Sequence, residues 1–171
     1  GRNEAALYAN NMVFPEAVLQ AKPVPGNDAL VVATFSPHNA PPRGTIAMID
    51  TRVGKNDPAA IFNFEAPEKP THDRGDSCDP WALSDQVVLY SGVPLETDAP
   101  SLPVEAAGFR KRNNAKINAL MLIDRSGQRV VVHSDPSIDL HNPIPLVPRP
   151  LPRANVDMTD RTKATGQFFV N

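Results

Sequence analysis

Short apolar segments separated by polar turns run along most of the chain. Each has roughly four to eight residues rich in β-branched or aromatic side chains and is bounded by Gly, Pro, Asp or Asn, which is typical of strands rather than helices. Only residues 3–11 and 103–114 have helical character, and both segments are short. The pattern predicts six strands, at 29–36, 44–50, 59–64, 86–93, 118–124 and 128–134. We therefore predict an all-β fold built from antiparallel, blade-like sheets.

Alternation within these strands predicts which side chains face a common core. Successive side chains of a strand point to opposite faces, so every second residue shares one face. The residues predicted to face the core are Val31, Ala33, Phe35, Ile46, Met48, Val88, Tyr90, Leu120 and Leu122.

The order of the predicted strands repeats once along the chain. The middle strand of each set ends in the same dipeptide, Ile49-Asp50 in the first and Ile123-Asp124 in the second, and a polar turn follows both. The second set is longer because of an insertion near 93–117. An antiparallel unit that repeats at roughly 40 to 60 residues is typical of a β-propeller blade, so residues 1–141 are predicted to form two blade-like units.

Proline is unusually common, with 19 residues in a chain of 171. That is about twice the usual share of roughly 5%. Five prolines fall within 142–153, where the missing amide donors predict an extended polyproline track rather than a central strand. We predict that this track buries its aliphatic side chains against the sheets while its arginines stay in water, and that a further strand follows at 165–170, within a C-terminal region 142–171. The aliphatic residues are Ile144, Leu146, Val147 and Leu151, and the arginines are Arg149 and Arg153.

Charge and cysteine content exclude several classes of function. With 17 basic against 19 acidic residues, the net charge of −2 gives no electrostatic basis for binding nucleic acid. No apolar run approaches the roughly 18 residues of a membrane span, and the polar first residues do not resemble a signal peptide. The single cysteine excludes an internal disulfide, a paired-cysteine zinc motif and a Cys-x-x-Cys-His haem attachment site.

The segment 71–85, "THDRGDSCDPWALSD", contains the densest group of reactive side chains. Three interpretations are considered: a metal site with His72, Asp76 and Cys78 as candidate ligands, an Arg-Gly-Asp adhesion motif at 74–76, and an ordinary turn. Zinc sites usually use paired, regularly spaced ligands, which are missing here, and Asp commonly caps its own backbone in turns. The acidic neighbours of Cys78 are expected to raise its pKa. We therefore predict a solvated turn leading into a strand.

No residue is assigned a catalytic, cofactor-binding or metal-binding role from the sequence. Ser36, Ser84 and Ser91 lie outside any nucleophile-elbow pattern, and His141 is placed at the entry to the proline track. We therefore expect no cofactor in this chain.

Two of the quoted strands also carry a family resemblance. "GTIAMID" (44–50) and "NALMLIDRSG" (118–127) resemble the strand-and-turn of TolB-like β-propeller repeats. Three longer blocks, 21–39, 79–92 and 118–152, resemble the bacterial family related to the hydrazine synthase alpha subunit. The resemblance implies large, exported or periplasmic multidomain proteins in which the propeller precedes modules that carry c-type haem. Haem is therefore expected only in modules outside this chain.

These observations lead to three hypotheses for function. Two blades cannot close a propeller, which typically has four to eight, so the first hypothesis is a non-catalytic scaffold that contacts other blades or subunits, or a second copy through open strand edges. The second is part of a haem- or metal-dependent enzyme whose active site is completed outside this chain. The third is a peptide- or glycan-binding module that uses a strand edge or the proline track.

Overall fold

The computed structural model describes residues 14–38, 42–53, 57–95, 117–135, 137–148, 162–163 and 165. Within these ranges the chain forms eight strands and one 3₁₀ turn at Pro58–Ala60. The strands are β1 (Ala17–Val24), β2 (Asn27–Ser36), β3 (Thr45–Asp50), β4 (Ile61–Asn63), β5 (Ser77–Ala82), β6 (Val87–Gly92), β7 (Ala119–Asp124) and β8 (Arg129–His133). The all-β class and the six predicted strands are confirmed. The helical candidates, nearly all of the insertion and nearly all of the strand predicted at 165–170 lie outside the described residues.

The strands form two four-stranded antiparallel sheets of the same topology. Sheet 1 has the order β1-β2-β3-β4 and sheet 2 has the order β5-β6-β7-β8. The repeated Ile-Asp dipeptides occupy equivalent places, because Asp50 lies opposite Leu30 and Asp124 lies opposite Val87. Each of these carboxylates also accepts a backbone hydrogen bond from the residue two positions later in the turn. The internal repeat predicted from the sequence is therefore present in the structure.

The first strand of each sheet was not predicted. Both β1 and β5 are edge strands with an irregular register, at Leu19/Lys22 in β1 and at Cys78/Trp81 in β5. A bulge shifts the apolar alternation by one residue, and an edge or bulge is where a strand tolerates proline. The prediction of a solvated turn over 71–85 is therefore wrong for β5, where Cys78 and Asp79 are each only 3% exposed.

The main hydrophobic core lies between the two sheets. Its residues are Val24, Leu30, Val32, Ile46, Met48, Phe64, Ala82, Val88, Tyr90, Ala119, Met121, Ile123 and Val131. A second cluster occupies the opposite face of sheet 1 and consists of Ala33, Phe35, Ala47, Ile49, Ala60 and Ile61. Sheet 1 is therefore covered on both faces.

Only some of the nine residues predicted to face one common core do so. Ile46, Met48, Val88 and Tyr90 share the core between the sheets. The remaining predicted residues do not join it: Ala33 and Phe35 pack in the second cluster, Val31 pairs with Ile49 of that cluster, and Leu120 and Leu122 are half-buried on the outer face of sheet 2. The reason is that β2 and β7 are apolar on both faces, so alternation alone could not identify the core-facing side.

The loop that precedes β5 is held by a fully buried amide. The Asn63 Nδ2 donates to Thr45 Oγ1 and to the backbone oxygen of His72, and its Oδ1 accepts from the backbone of Glu65 and Ala66. Even Asp73, in the middle of the loop, is only 2% exposed. Asp73 is therefore packed against sheet 1, whereas Arg74 and Gly75 beside it are exposed.

The glycine of the Arg-Gly-Asp triplet has a packing role. A Cβ on Gly75 would lie 2.4 Å from the backbone oxygen of Gly44, and Gly44 in turn pairs with Ser77 across the two sheets. The loop crosses sheet 1 at this point with no room for a side chain, which gives the glycine a structural explanation.

The proline track has no regular secondary structure within its described part. Ile144, Leu146 and Val147 are 57%, 100% and 58% exposed, so the prediction that they are buried against the sheets is wrong. Only Pro143 of this stretch is buried. Arg149, Leu151 and Arg153 lie outside the described residues. No helix among the residues that the structure describes is long and apolar enough to cross a membrane.

Candidate functional site

The bulges of the two edge strands meet each other. Gln20 in β1 and Asp79 in β5 both adopt the left-handed conformation, with φ of 55° and 54°. The Gln20 Oε1 accepts from the backbone N–H of Asp79 at 2.8 Å and from Thr34 Oγ1 at 2.8 Å, while its Nε2 donates to Asp79 Oδ1 at 2.5 Å. The side chain of one bulge thus binds both the backbone and the carboxylate of the next.

A third left-handed residue approaches the same carboxylate. Asn142 has a φ of 51°, and its backbone N–H donates to Asp79 Oδ2 at 3.3 Å. In the described part of the chain, Gln20, Asp79 and Asn142 are the non-glycine residues with positive φ. Such conformations cost on the order of 1–3 kcal/mol each and persist where the surroundings fix them. Within the described residues, each left-handed non-glycine residue is therefore either Asp79 itself or hydrogen-bonded to Asp79.

Three side chains able to bind a metal lie together at this point. The Asp79 Oδ2 is 2.9 Å from His141 Nδ1 and 3.6 Å from Cys78 Sγ, and the Cys78 Sγ is 3.8 Å from His141 Nδ1. Cys78 and Asp79 are buried, whereas the side chain of His141 is 41% exposed. The group therefore has a buried base and one side open to solvent.

Asn118, which immediately precedes β7, lies over the group with a fixed orientation. Its Oδ1 accepts from an Arg43 guanidinium nitrogen at 2.8 Å. Because a guanidinium can only donate, the Nδ2 group must face the other way. It lies 3.9 Å from Cys78 Sγ and at 3.4 and 3.2 Å from Nδ1 and Nε2 of His141.

The thiol of Cys78 is held in its protonated form. Burial raises the pKa of Cys78 to about 12, the negative charge of Asp79 adds to the rise, and the positive charge of Arg43 opposes it. The direction predicted from the sequence is confirmed, although desolvation contributes more than the acidic neighbours. A thiol with so high a pKa is a poor nucleophile at neutral pH because only the thiolate attacks. Metal coordination remains open to this thiol, because a bound metal ion displaces the thiol proton.

A buried hydroxyl lies beside this thiol. Ser91 is directly opposite Cys78 in the β5–β6 ladder, so the two side chains share a face of sheet 2. Ser91 is fully buried, and within the described part of the chain its Oγ has no hydrogen-bond partner. Buried hydroxyls normally have one, so the site contains a donor without an acceptor next to Cys78.

Of the three candidate ligands named from the sequence, His72, Asp76 and Cys78, only Cys78 belongs to this group. Among the described residues, the Cys, His and acidic side chains with three ligand atoms all within 4.8 Å of one another are Cys78, Asp79 and His141. His72 and Asp76 are not members of this group; they lie in the loop before β5. Sequence reasoning missed His141 because more than sixty positions separate it from Cys78. A signal was present, since Cys78-Asp79-Pro80 and His141-Asn142-Pro143 share the same pattern of ligand, Asp or Asn, and proline.

Comparison with known proteins adds no relative. The chain matches no protein-family model, no curated protein and no solved structure. Function is therefore inferred from the geometry of this chain.

Proposed function

We propose that the chain supplies two consecutive blades and the first segment of a third blade of a β-propeller, and that it acts as a non-catalytic scaffold within a larger exported bacterial protein. The observation that carries this proposal is the junction between units, which occurs twice along the chain. Gln20, Asp79 and Asn142 form a series in which the backbone N–H of each later residue donates to the side chain of the one before it.

A second hydrogen bond repeats at the same junction. The backbone N–H of Ser77, one residue before Cys78, donates to the oxygen of Gly44. The backbone N–H of Leu140, one residue before His141, donates to the oxygen of Asn118. Gly44 and Asn118 both directly precede the third strand of their sheets. Residues 140–143 therefore contact sheet 2 as the start of β5 contacts sheet 1.

The outer face of sheet 2 supports the same proposal. In sheet 1, Val32, Met48 and Phe62 form a cross-strand row that faces sheet 2. The equivalent row of sheet 2, by register, is Leu89, Leu122 and Val130. Leu89 and Leu122 are half-buried and Val130 is 43% exposed, so this row is apolar but incompletely covered.

An uncovered apolar row on the last sheet is expected when equivalent units pack head to tail. Each unit covers one face of its predecessor, and the last unit keeps a free face for the next. Since two blades do not close a propeller, we propose that further blades or a partner subunit cover the Leu89–Leu122–Val130 row. The resemblance to the family of the hydrazine synthase alpha subunit supports export and association with haem-bearing modules outside this chain.

Self-association of the chain tests whether this face is an interface. We expect the chain alone to associate in sedimentation velocity experiments as its concentration rises, because the apolar row has no covering blade. Val130→Lys should weaken the association, whereas Leu83→Lys should not, since Leu83 is equally exposed at 43% but lies in the β5–β6 turn. A wild-type chain that stays monomeric throughout, or two variants with equal effects, would contradict the proposed interface.

A further inference from the structure

We propose that Cys78 Sγ, Asp79 Oδ2 and His141 Nδ1 bind one Zn²⁺ ion, with the fourth coordination position open to solvent. This inference goes beyond a scaffold role, and it replaces the expectation from sequence spacing that the chain holds no metal.

The separations of the three ligand atoms fit a tetrahedral ion. Zinc bonds of about 2.3 Å to sulfur and about 2.1 Å to nitrogen and oxygen place tetrahedral ligand atoms about 3.4 to 3.6 Å apart. The observed separations are 3.8 Å for Cys78 Sγ to His141 Nδ1, 3.6 Å for Cys78 Sγ to Asp79 Oδ2, and 2.9 Å for His141 Nδ1 to Asp79 Oδ2. Only the last must open, by about 0.5 Å, as the ion replaces the hydrogen bond between these two atoms.

The donor set selects zinc among the common divalent ions. A thiolate, an imidazole and a carboxylate together suit Zn²⁺, whereas Mg²⁺ and Ca²⁺ prefer oxygen ligands throughout. When the Cys78 Sγ binds the ion, its thiol proton leaves to solvent. The resulting thiolate and the Asp79 carboxylate then balance the two positive charges of the ion. The buried half of the site would therefore carry no uncompensated charge.

Neighbouring groups hold the ligands as outer-sphere partners do in metal sites. Gln20 Nε2 donates to Asp79 Oδ1, and the backbone N–H of Asn142 donates to Oδ2. A carboxylate oxygen has two lone pairs, so Oδ2 can accept this hydrogen bond and still bind the ion. Asn118 Nδ2 donates to Cys78 Sγ at 3.9 Å, so the sulfur atom also has a neighbouring donor that would stabilise a thiolate.

Three protein ligands and one open position are typical of zinc sites that act on a bound water or substrate, whereas structural sites are usually closed by four. The exposed side of His141 gives solvent access to that position. The site would therefore act as a Lewis acid at the junction between units.

Zinc titration of the full chain tests the proposal. With a chromophoric chelator as competitor, we expect one Zn²⁺ per chain, and Co²⁺ in place of zinc should give a thiolate-to-cobalt charge-transfer absorption. His141→Gln should weaken zinc binding about 100-fold or more, since even the loss of an outer-sphere partner costs 10–100-fold. Cys78→Ser should abolish the cobalt charge-transfer absorption. Circular dichroism of each variant checks that it is folded.

His72→Gln is the matched control. His72 lies six residues before Cys78 and was a candidate ligand by sequence, but it is outside the cluster, so this variant should bind zinc as the wild type does. Absence of stoichiometric zinc binding to the folded wild-type chain would overturn the proposal. So would a His72→Gln variant that binds zinc as weakly as His141→Gln, because the ion would then lie in the loop before β5.

Discussion

Glu65, directly after the first residue beyond β4, carries a carboxyl group whose burial makes the stability of the fold depend on pH. Although Glu65 as a whole is only half-buried, its Oε1 atom is inaccessible to solvent and, within the described part of the chain, has no hydrogen-bond partner. Burial raises the pKa of this group from 4.5 to about 7, against the opposing effects of a hydrogen bond to Ser77 and the charge of Arg129. The enclosure of the carboxyl group decides its pKa, whatever the exposure of the rest of the residue.

The sign of the effect follows from which state holds the proton. Between pH 4.5 and about 7 the folded chain keeps Glu65 protonated while the unfolded chain has already released the proton. The contribution of Glu65 to stability is therefore greatest below pH 4.5 and falls as the pH rises through this window. A pKa difference of about 2.5 corresponds to about 3 kcal/mol.

Replacement of Glu65 by Gln should remove most of this dependence. We expect the free energy of unfolding of Glu65→Gln, relative to the wild type, to increase by about 3 kcal/mol from pH 4.5 to about pH 8. Urea unfolding, followed by the fluorescence of the single tryptophan, measures it at each pH. Glu68→Gln, at an exposed position three residues away, is the control for loss of a surface charge. Parallel pH profiles of the wild type and Glu65→Gln would show that burial does not raise the pKa of Glu65.

Three further predictions concern packing, and each is read from the free energy of unfolding. Phe35→Ala should lower it by about 3–5 kcal/mol, because Phe35 is fully buried in the second cluster of sheet 1; a loss below about 1 kcal/mol would show that this face is open. Gly75→Ala should lower it by about 1–3 kcal/mol, because the new Cβ would meet the backbone of Gly44, whereas Arg74→Ala in the same triplet should change it by less than about 0.5 kcal/mol. Asn63→Leu should lower it by about 3 kcal/mol, since it removes the acceptor of the Glu65 and Ala66 amides and a donor to His72 and Thr45; a neutral result would mean that the loop before β5 is not held by this amide.

The strands predicted correctly are those with regular apolar runs. β2, β3, β6 and β7 lie in the interior of their sheets, where continuous ladders impose an unbroken pattern of β-branched and aromatic residues. The edge strands β4 and β8 were also predicted, so edge position alone does not hide a strand. β1 and β5 differ because bulges in the middle of each strand break the alternation, and β5 includes Pro80, which alone argues against a strand. Edge position and bulge are properties of the sheet, so the local pattern could not reveal them.

A second limit of the sequence-based prediction was that it could not identify which face of a strand points to the core. In β7 the sequence Leu120-Met121-Leu122-Ile123 is apolar at every position, so period two identifies two faces without ranking them. Met121 and Ile123 face the core between the sheets because Tyr90 and Val88 lie opposite them. The choice depends on which side of sheet 2 receives sheet 1, and that is a tertiary property.

The candidate site could not be predicted from the sequence because its ligands come from different units of the repeat. The residue before each left-handed bulge residue is Leu19 in the first unit, Cys78 in the second and His141 in the segment that follows. Cys78 and His141 are brought together because the segment that carries His141 contacts sheet 2 as β5 contacts sheet 1. Replacing an apolar residue at such a position by Cys or His introduces a ligand without changing the ladder, the bulge or the hydrogen bonds between units.

Sequence spacing within one segment cannot detect such a site, because its ligands occupy equivalent positions of successive units and are far apart in the chain. The strain of the three left-handed residues is tolerated because hydrogen bonds between neighbouring units fix Gln20, Asp79 and Asn142. The same hydrogen bonds hold Asp79 in place for an ion.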